Sequence, residues 1–181
     1  MLVIRSDEER MQAVGKGDME AFRDLVLAYQ RPAWSVAFRF LRDSAEAEDV
    51  VQDAFLKILD AAPRYLPTAS FRTYLYQVVS RLCIDRAEKK HPEYTDELPD
   101  VADLSPSPGE VFSARQGEDA VRMALDALPP NQRIAVILKH YEGLSYAEIG
   151  LAIGVTVKAV EGLLGRARST LQIRLAPLKK D

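Results

Sequence analysis

Apolar residues recur along the first half of the chain at helical spacing. Phe22, Leu25, Val26 and Tyr29 stand at i, i+3, i+4 and i+7, and Trp34, Ala37, Phe38 and Leu41 repeat the pattern after Pro32. Val51, Ala54, Phe55 and Ile58 form a third stripe, and Phe71, Leu75, Val78 and Leu82 a fourth. Each is the buried face of an amphipathic helix. The pattern therefore predicts four helices, with Pro32 between the first two and Pro63 and Pro67 between the last two. Asp43 followed by Glu46 reads as a capping box opening the third. The fourth stops near His91, because Pro92 disfavours a helical residue before it. Four such stripes can bury one another as a small bundle. No stretch alternates with period two for long enough to be a strand.

The last third carries a sharper signal. Val121, Leu125 and Leu128 predict a helix that ends at Pro129-Pro130, and a second runs from 130 to 141 before the stop at Gly143. Ser145 and Glu148 then form an S-x-x-E capping box. The short helix that follows reaches Ile153, where Gly154 permits a left-handed turn residue. Thr156 is the expected N-cap of a last helix reaching about Leu175. Two helices joined by a three-residue turn with glycine fit a helix-turn-helix. Ile149, Ile153, Val155, Val160 and Leu163 are apolar where the two helices meet, and Gly150 is small where they cross closely. A plain αα-corner is the competing reading. The capping box, the glycine turn and the basic tail favour the helix-turn-helix, whose second helix, 157–174, enters a major groove with its N-terminal residues first.

Charge changes the picture more than composition does. With 181 residues, 48 % hydrophobic and 28 % charged, the chain has a soluble globular balance. Its longest aliphatic run, Ile134 to Leu138, is far short of the ~20 residues that span a bilayer. The N-terminus is acidic by Asp7 and is not read as a signal peptide. One cysteine, Cys83, excludes an internal disulfide, and with only two histidines no metal site is expected. These features predict a cytoplasmic protein with no membrane insertion. The net charge of −3 hides a segregation: residues 1–92 carry equal numbers of basic and acidic groups, residues 93–119 one Arg against eight Asp/Glu, and residues 120–181 nine basic against five acidic groups. The expectation is an all-α protein of two small helical domains, 1–92 and 117–181. A flexible acidic linker with several prolines, 93–116, joins them.

Enzymatic readings find little support. His91 and His140 read as surface or packing side chains, and Cys83 as a small hydrophobe on the fourth helix. There is no Gly-rich phosphate loop, and the carboxylates form no constellation with a base or nucleophile. Neither a catalytic residue nor a cofactor is expected.

The stretch LPPNQRIAVILKHYEGLSYAEIGLAIGVTVKAVEGLLGRARSTL closely resembles the promoter-binding C-terminal domain of sigma-70 family factors. DSAEAEDVVQDAFLKILD, followed by FRTYLYQVVSRLCIDR, resembles their N-terminal domain. Both domains in this order, with a short linker, resemble an extracytoplasmic-function (ECF) sigma factor. The resemblance implies core RNA polymerase (β′ and β subunits) and promoter DNA as partners, and an anti-sigma factor as regulator. It places Asp49, Gln52 and Asp53 against a coiled coil of β′. Asp49 and Asp53, four apart, share one helix face with Gln52 beside them. The fourth helix would read and open the −10 element. Melted DNA needs cations for phosphates and flat side chains for bases, and Arg72, Tyr74, Tyr76, Arg81, Arg86, Lys89 and Lys90 offer both. Tyr74 stands where the family usually has Trp, Gln77 where Arg is frequent, and Arg81 where many members have Asn.

The last helix would read the −35 element through Lys158, Glu161, Gly162, Gly165 and Arg166, with Arg168 and Arg174 within reach of phosphate and Ser145 and Thr156 at the helix starts. Glu161 and Leu163 replace basic residues frequent in relatives; Glu161 can accept from a cytosine amino group. Two other classes stay open on the residues alone: a sigma-like mimic or adaptor that sequesters a protein, and a simple helix-turn-helix operator-binding repressor.

Overall fold

The computed structural model describes residues 6–90 and 114–176, without the side chains of 114–116. Eight α-helices and a short 3-10 turn make up the described residues, and no strand occurs among them. Helix α1 (Asp7–Val14) precedes every helix predicted above. Ser6 and Glu9 start it with a complete capping box: the Glu9 amide donates to Ser6 Oγ at 3.2 Å and the Ser6 amide to Glu9 Oε2 at 2.8 Å. Met11 and Val14 are buried, and Glu8 accepts from the Phe71 amide at 2.8 Å, tying α1 to the start of the fourth helix of the bundle.

Pro32 does not separate two helices. Helix α2 (Met19–Leu41) runs through it unbroken. A proline removes one donor, that to the carbonyl four residues back. Here that residue is Ala28, on the exposed side, where water can replace the lost bond. Leu25, Ala33, Val36, Ala37 and Phe40 are all buried, so packing on both sides of the proline keeps the axis continuous. Helix α2 ends at Arg42, an arginine in the left-handed region with φ 63°. Helix α3 (Ser44–Ala61) is capped by Asp43, which accepts from the Glu46 amide at 2.9 Å. The expected reciprocal bond is replaced: the Glu46 carboxylate pairs with Lys90 instead. A 3-10 turn (Ala62–Arg64) leads to α4 (Phe71–Lys90), where Phe71, Leu75, Val79 and Cys83 are fully buried. Burial pushes the Cys83 thiol up to about 12.

Most of the expected linker, residues 93–113, lies outside the described residues, as does His91. Its last three residues do not belong to it, because α5 (Ala114–Asp126) begins at Ala114. Helices α6 (Pro130–His140), α7 (Tyr146–Ile153) and α8 (Val157–Leu175) follow. Ile134 to Leu138 are all buried, five successive residues that cover the whole circumference of α6. A helix apolar all round must be covered all round. Helices α7 and α8 cover one side of α6, and α2 and α4 the other. The two halves of the chain therefore share one apolar cluster, from Met11 to Ala167. Among the described residues no helix is long and apolar enough to cross a membrane.

Candidate nucleic-acid interface

The turn between α7 and α8 is built as its sequence demands. The Glu148 amide donates to Ser145 Oγ at 3.2 Å and the Ser145 amide to Glu148 Oε2 at 2.8 Å. Those bonds hold the Glu148 carboxyl below the usual carboxylate range. Gly154 takes the left-handed conformation, φ 72°. A Cβ on Gly150 would stand 2.8 Å from the Val155 carbonyl oxygen, so the crossing tolerates only glycine without a shift. Thr156 caps α8 by accepting from the Ala159 amide at 3.2 Å. Ile149 and Val160 are buried, and Ile153, Val155 and Leu163 pack against them. Leu164 and Ala167 extend the buried stripe one turn further.

The buried stripe of α8 leaves the opposite face open. Lys158, Glu161, Gly165, Arg166 and Arg168 are exposed; Gly162 is half-buried beside the Arg166 guanidinium. Lys158, Glu161, Gly165 and Arg168 fall at i, i+3, i+7 and i+10, a single stripe along the helix. Ser145 and Thr156 are exposed, with their hydroxyls engaged as caps. Arg174 is exposed in the last turn.

Helix α4 divides its seven candidate side chains into four groups. Arg81 and Lys89 face solvent. Arg86 and Lys90 turn to α3: Arg86 donates to Asp53 Oδ2 at 2.9 Å and to the Glu46 carbonyl at 3.1 Å, and Lys90 pairs with the Glu46 carboxylate. Tyr74 packs half-buried between Tyr65 and Phe71, with ring centroids 5.3 and 6.4 Å away. Arg72 and Tyr76 point at the second half of the chain. Tyr76, expected on an open surface, is fully buried. The reason is α7, which packs on this part of α4. Tyr76 donates its hydroxyl to the Glu142 carboxylate, and Arg72 donates to the Glu142 carbonyl and, at 3.4 Å, to its carboxylate. Burial first, then the bond to Glu142, raises the Tyr76 pKa.

On α3, Asp49 and Gln52 are exposed and Asp53 is partly covered by its pair with Arg86. Exposed Leu56 continues the same face. His140 is exposed at the end of α6. Sequence reasoning missed a set of side chains that join the halves. Arg42 meets Asp126 at 3.2 Å, Arg133 donates to the Phe40 carbonyl at 3.1 Å, and the Arg39 guanidinium lies 4.0 Å above the Tyr141 ring.

A helix-turn-helix with one open helix face, carried on an otherwise helical scaffold, fits the class of DNA-binding regulators of transcription. A family model for Sigma-70 region 2 matches residues 25–92, and one for Sigma-70, region 4 matches residues 118–171. The chain is 30 % identical to the RNA polymerase sigma-H factor of Pseudomonas aeruginosa over the whole of both chains. It is 28 % identical to the ECF RNA polymerase sigma factor SigW of Bacillus subtilis, covering 94 % of this chain and 97 % of SigW. Among solved structures, CnrH in complex with the cytosolic domain of CnrY is similar, with a TM-score of 0.73 and 25 % identity over 96 % of this chain and 99 % of that one. The chain belongs to the ECF sigma factors of the sigma-70 family. It is a sigma factor that directs RNA polymerase, and neither the sequestering mimic nor the stand-alone repressor is favoured.

Proposed function

We propose that this sigma factor recognises promoters with two helices, α8 at the −35 element and α4 at the −10 element. Residues 1–92 and 114–181 are the two working units. The exposed stripe Lys158, Glu161, Gly165 and Arg168 is the observation that carries the −35 assignment, because a capped helix end with an open face is what enters a major groove. Arg81 and Lys89 offer cations to the −10 strands, joined by Arg72 and Tyr76 once α4 is uncovered. Asp49, Gln52 and Asp53, with Leu56 beside them, form an acidic, partly apolar face that suits a basic coiled coil of the β′ subunit; β is the second polymerase contact. The chain supplies specificity and the polymerase the chemistry, so the protein is no enzyme. It works in the cytoplasm.

An anti-sigma factor is the expected regulator. A solved relative of the same fold, RpoE of Bartonella quintana, is described in complex with the anti-sigma factor NepR.

Transcription by core polymerase with and without this protein on genomic DNA, with start sites mapped, tests the reading. New starts sharing −35 and −10 elements are the expected result. Failure to co-purify with core polymerase overturns it.

A further inference from the structure

We propose that Glu142 is an internal latch: its carboxylate stands in for a DNA phosphate and holds Arg72 and Tyr76 of α4 closed against α7 until core polymerase separates the two halves. This rests on the assignment of α4 to the −10 element.

The chemistry of the contact is that of anion recognition. One carboxylate receives a tyrosine hydroxyl and a guanidinium, and the same guanidinium takes the Glu142 carbonyl. A guanidinium fork and a phenol suit a phosphate oxygen equally well. Glu142 and a nucleic-acid backbone therefore compete for the same donors. The turn between α6 and α7 presents the carboxylate, with Gly143 in the left-handed region at φ 67°. The Glu142 side chain is only 13 % exposed while Arg72 keeps 41 % of its side chain open, so the carboxylate is covered and salt reaches the pair from the Arg72 side.

Three further contacts close the same boundary: Arg42 with Asp126, Arg39 on Tyr141, and Arg133 on the Phe40 carbonyl. All are polar or cation–π contacts at the edge of the shared apolar cluster. The −35 stripe of α8 stays exposed throughout. The latch thus withholds Arg72 and Tyr76 of α4, while Arg81 and Lys89 of the same helix and the stripe of α8 stay open.

Hydroxyl-radical footprinting of Tyr76 in the full chain, read by mass spectrometry, tests this. Free wild-type protein should be oxidised at Tyr76 about tenfold more slowly than Glu142→Ala, because hydrogen bonds to a charged group are among the stronger single contacts. Asp126→Ala, which breaks the Arg42 pair from the far side, should give a smaller rise and serves if Glu142→Ala fails to fold. Adding core polymerase should bring wild type to the rate of the open variant. Adding promoter DNA with an unpaired −10 segment should protect Tyr76 again. Equal oxidation of free wild type and both variants overturns the latch, as does continued protection in the core complex. Exposure on core binding without protection by DNA overturns Glu142 as a phosphate stand-in, while the sigma-factor reading is judged separately by the mapped start sites.

Discussion

Arg86 of α4 and Asp53 of α3 form an ion pair at 2.9 Å, and the same guanidinium takes the Glu46 carbonyl. A residue expected on DNA and one expected on polymerase thus hold each other. The pair separates Asp53 from Asp49, which has no such constraint and lies exposed one turn earlier. Asp49→Arg should lower core-polymerase affinity about tenfold or more, since a like charge set against a basic partner is costly. Its stability should change by no more than about 0.5 kcal/mol. Asp53→Arg should also lose a bridge worth about 0–1 kcal/mol and set two arginines together. Pull-down titration and thermal unfolding of both variants check this; equal core affinity of wild type and Asp49→Arg contradicts the polymerase-facing role.

Acid should weaken the fold through two glutamates. Glu8, bonded by the Phe71 amide, and Glu148, bonded by Ser145, both have carboxyl groups below the ordinary value of 4.5. A carboxyl that is more acidic in the folded chain adds stability above its unfolded pKa. That stability is lost as pH falls through the folded value. Urea midpoints should therefore drop as pH falls below 4.5. Glu8→Gln and Glu148→Gln should each flatten that limb. Parallel acid limbs in wild type and both variants would show that these bonds do not couple to folding.

Two glycines of the helix-turn-helix should respond in opposite ways to alanine. A Cβ on Gly150 meets a backbone oxygen at 2.8 Å, which cannot swing aside as a side chain can. Gly150→Ala should cost about 1–3 kcal/mol. A Cβ on Gly165 meets nothing within 4 Å. Gly165→Ala should gain up to about 1 kcal/mol from helix propensity. If the α8 backbone approaches DNA at Gly165, the stabilised variant will bind −35 duplexes more weakly. Denaturant unfolding and DNA titration on the same samples separate the two effects.

The helix-turn-helix was legible because each of its parts is local. Ser145 with Glu148, Gly154 and Thr156 each fix a few torsions, and the structure keeps all of them. Helix α1 was equally local and went unread: Ser6 and Glu9 spell the same box, but the helix has only Met11 and Val14 to bury and shows no stripe. Pro32 misled for the opposite reason, since long-range packing outweighs one missing donor. The union of the two halves rests on contacts between residues 66 to 102 apart in the chain, which no local rule reports. One signal did exist. The run from Ile134 to Leu138 is too short for a membrane span, yet five successive apolar residues on an 11-residue helix already require cover on every side.

The last prediction separates kinds of contact along α8. Glu161 and Arg168 share the exposed stripe but lie seven residues apart, about 10 Å along the axis. Thr156 caps the N-terminal end; in the proposed docking that end leads into the groove, which would set Glu161 at the base edges and Arg168 toward the backbone. Arg168→Ala should weaken binding about equally across promoter sequences and lower the salt slope by ~1, the signature of one lost phosphate contact. Glu161→Ala should instead change which −35 sequence is preferred, because a base contact is worth ~1–3 kcal/mol of discrimination. Neither substitution touches the buried stripe through Val160, Leu164 and Ala167, so folding should be unaffected. Holoenzyme binding to a randomised −35 library at two salt concentrations measures both. If Arg168→Ala reorders the sequences while Glu161→Ala leaves their ranking intact, α8 lies in the groove with its ends exchanged.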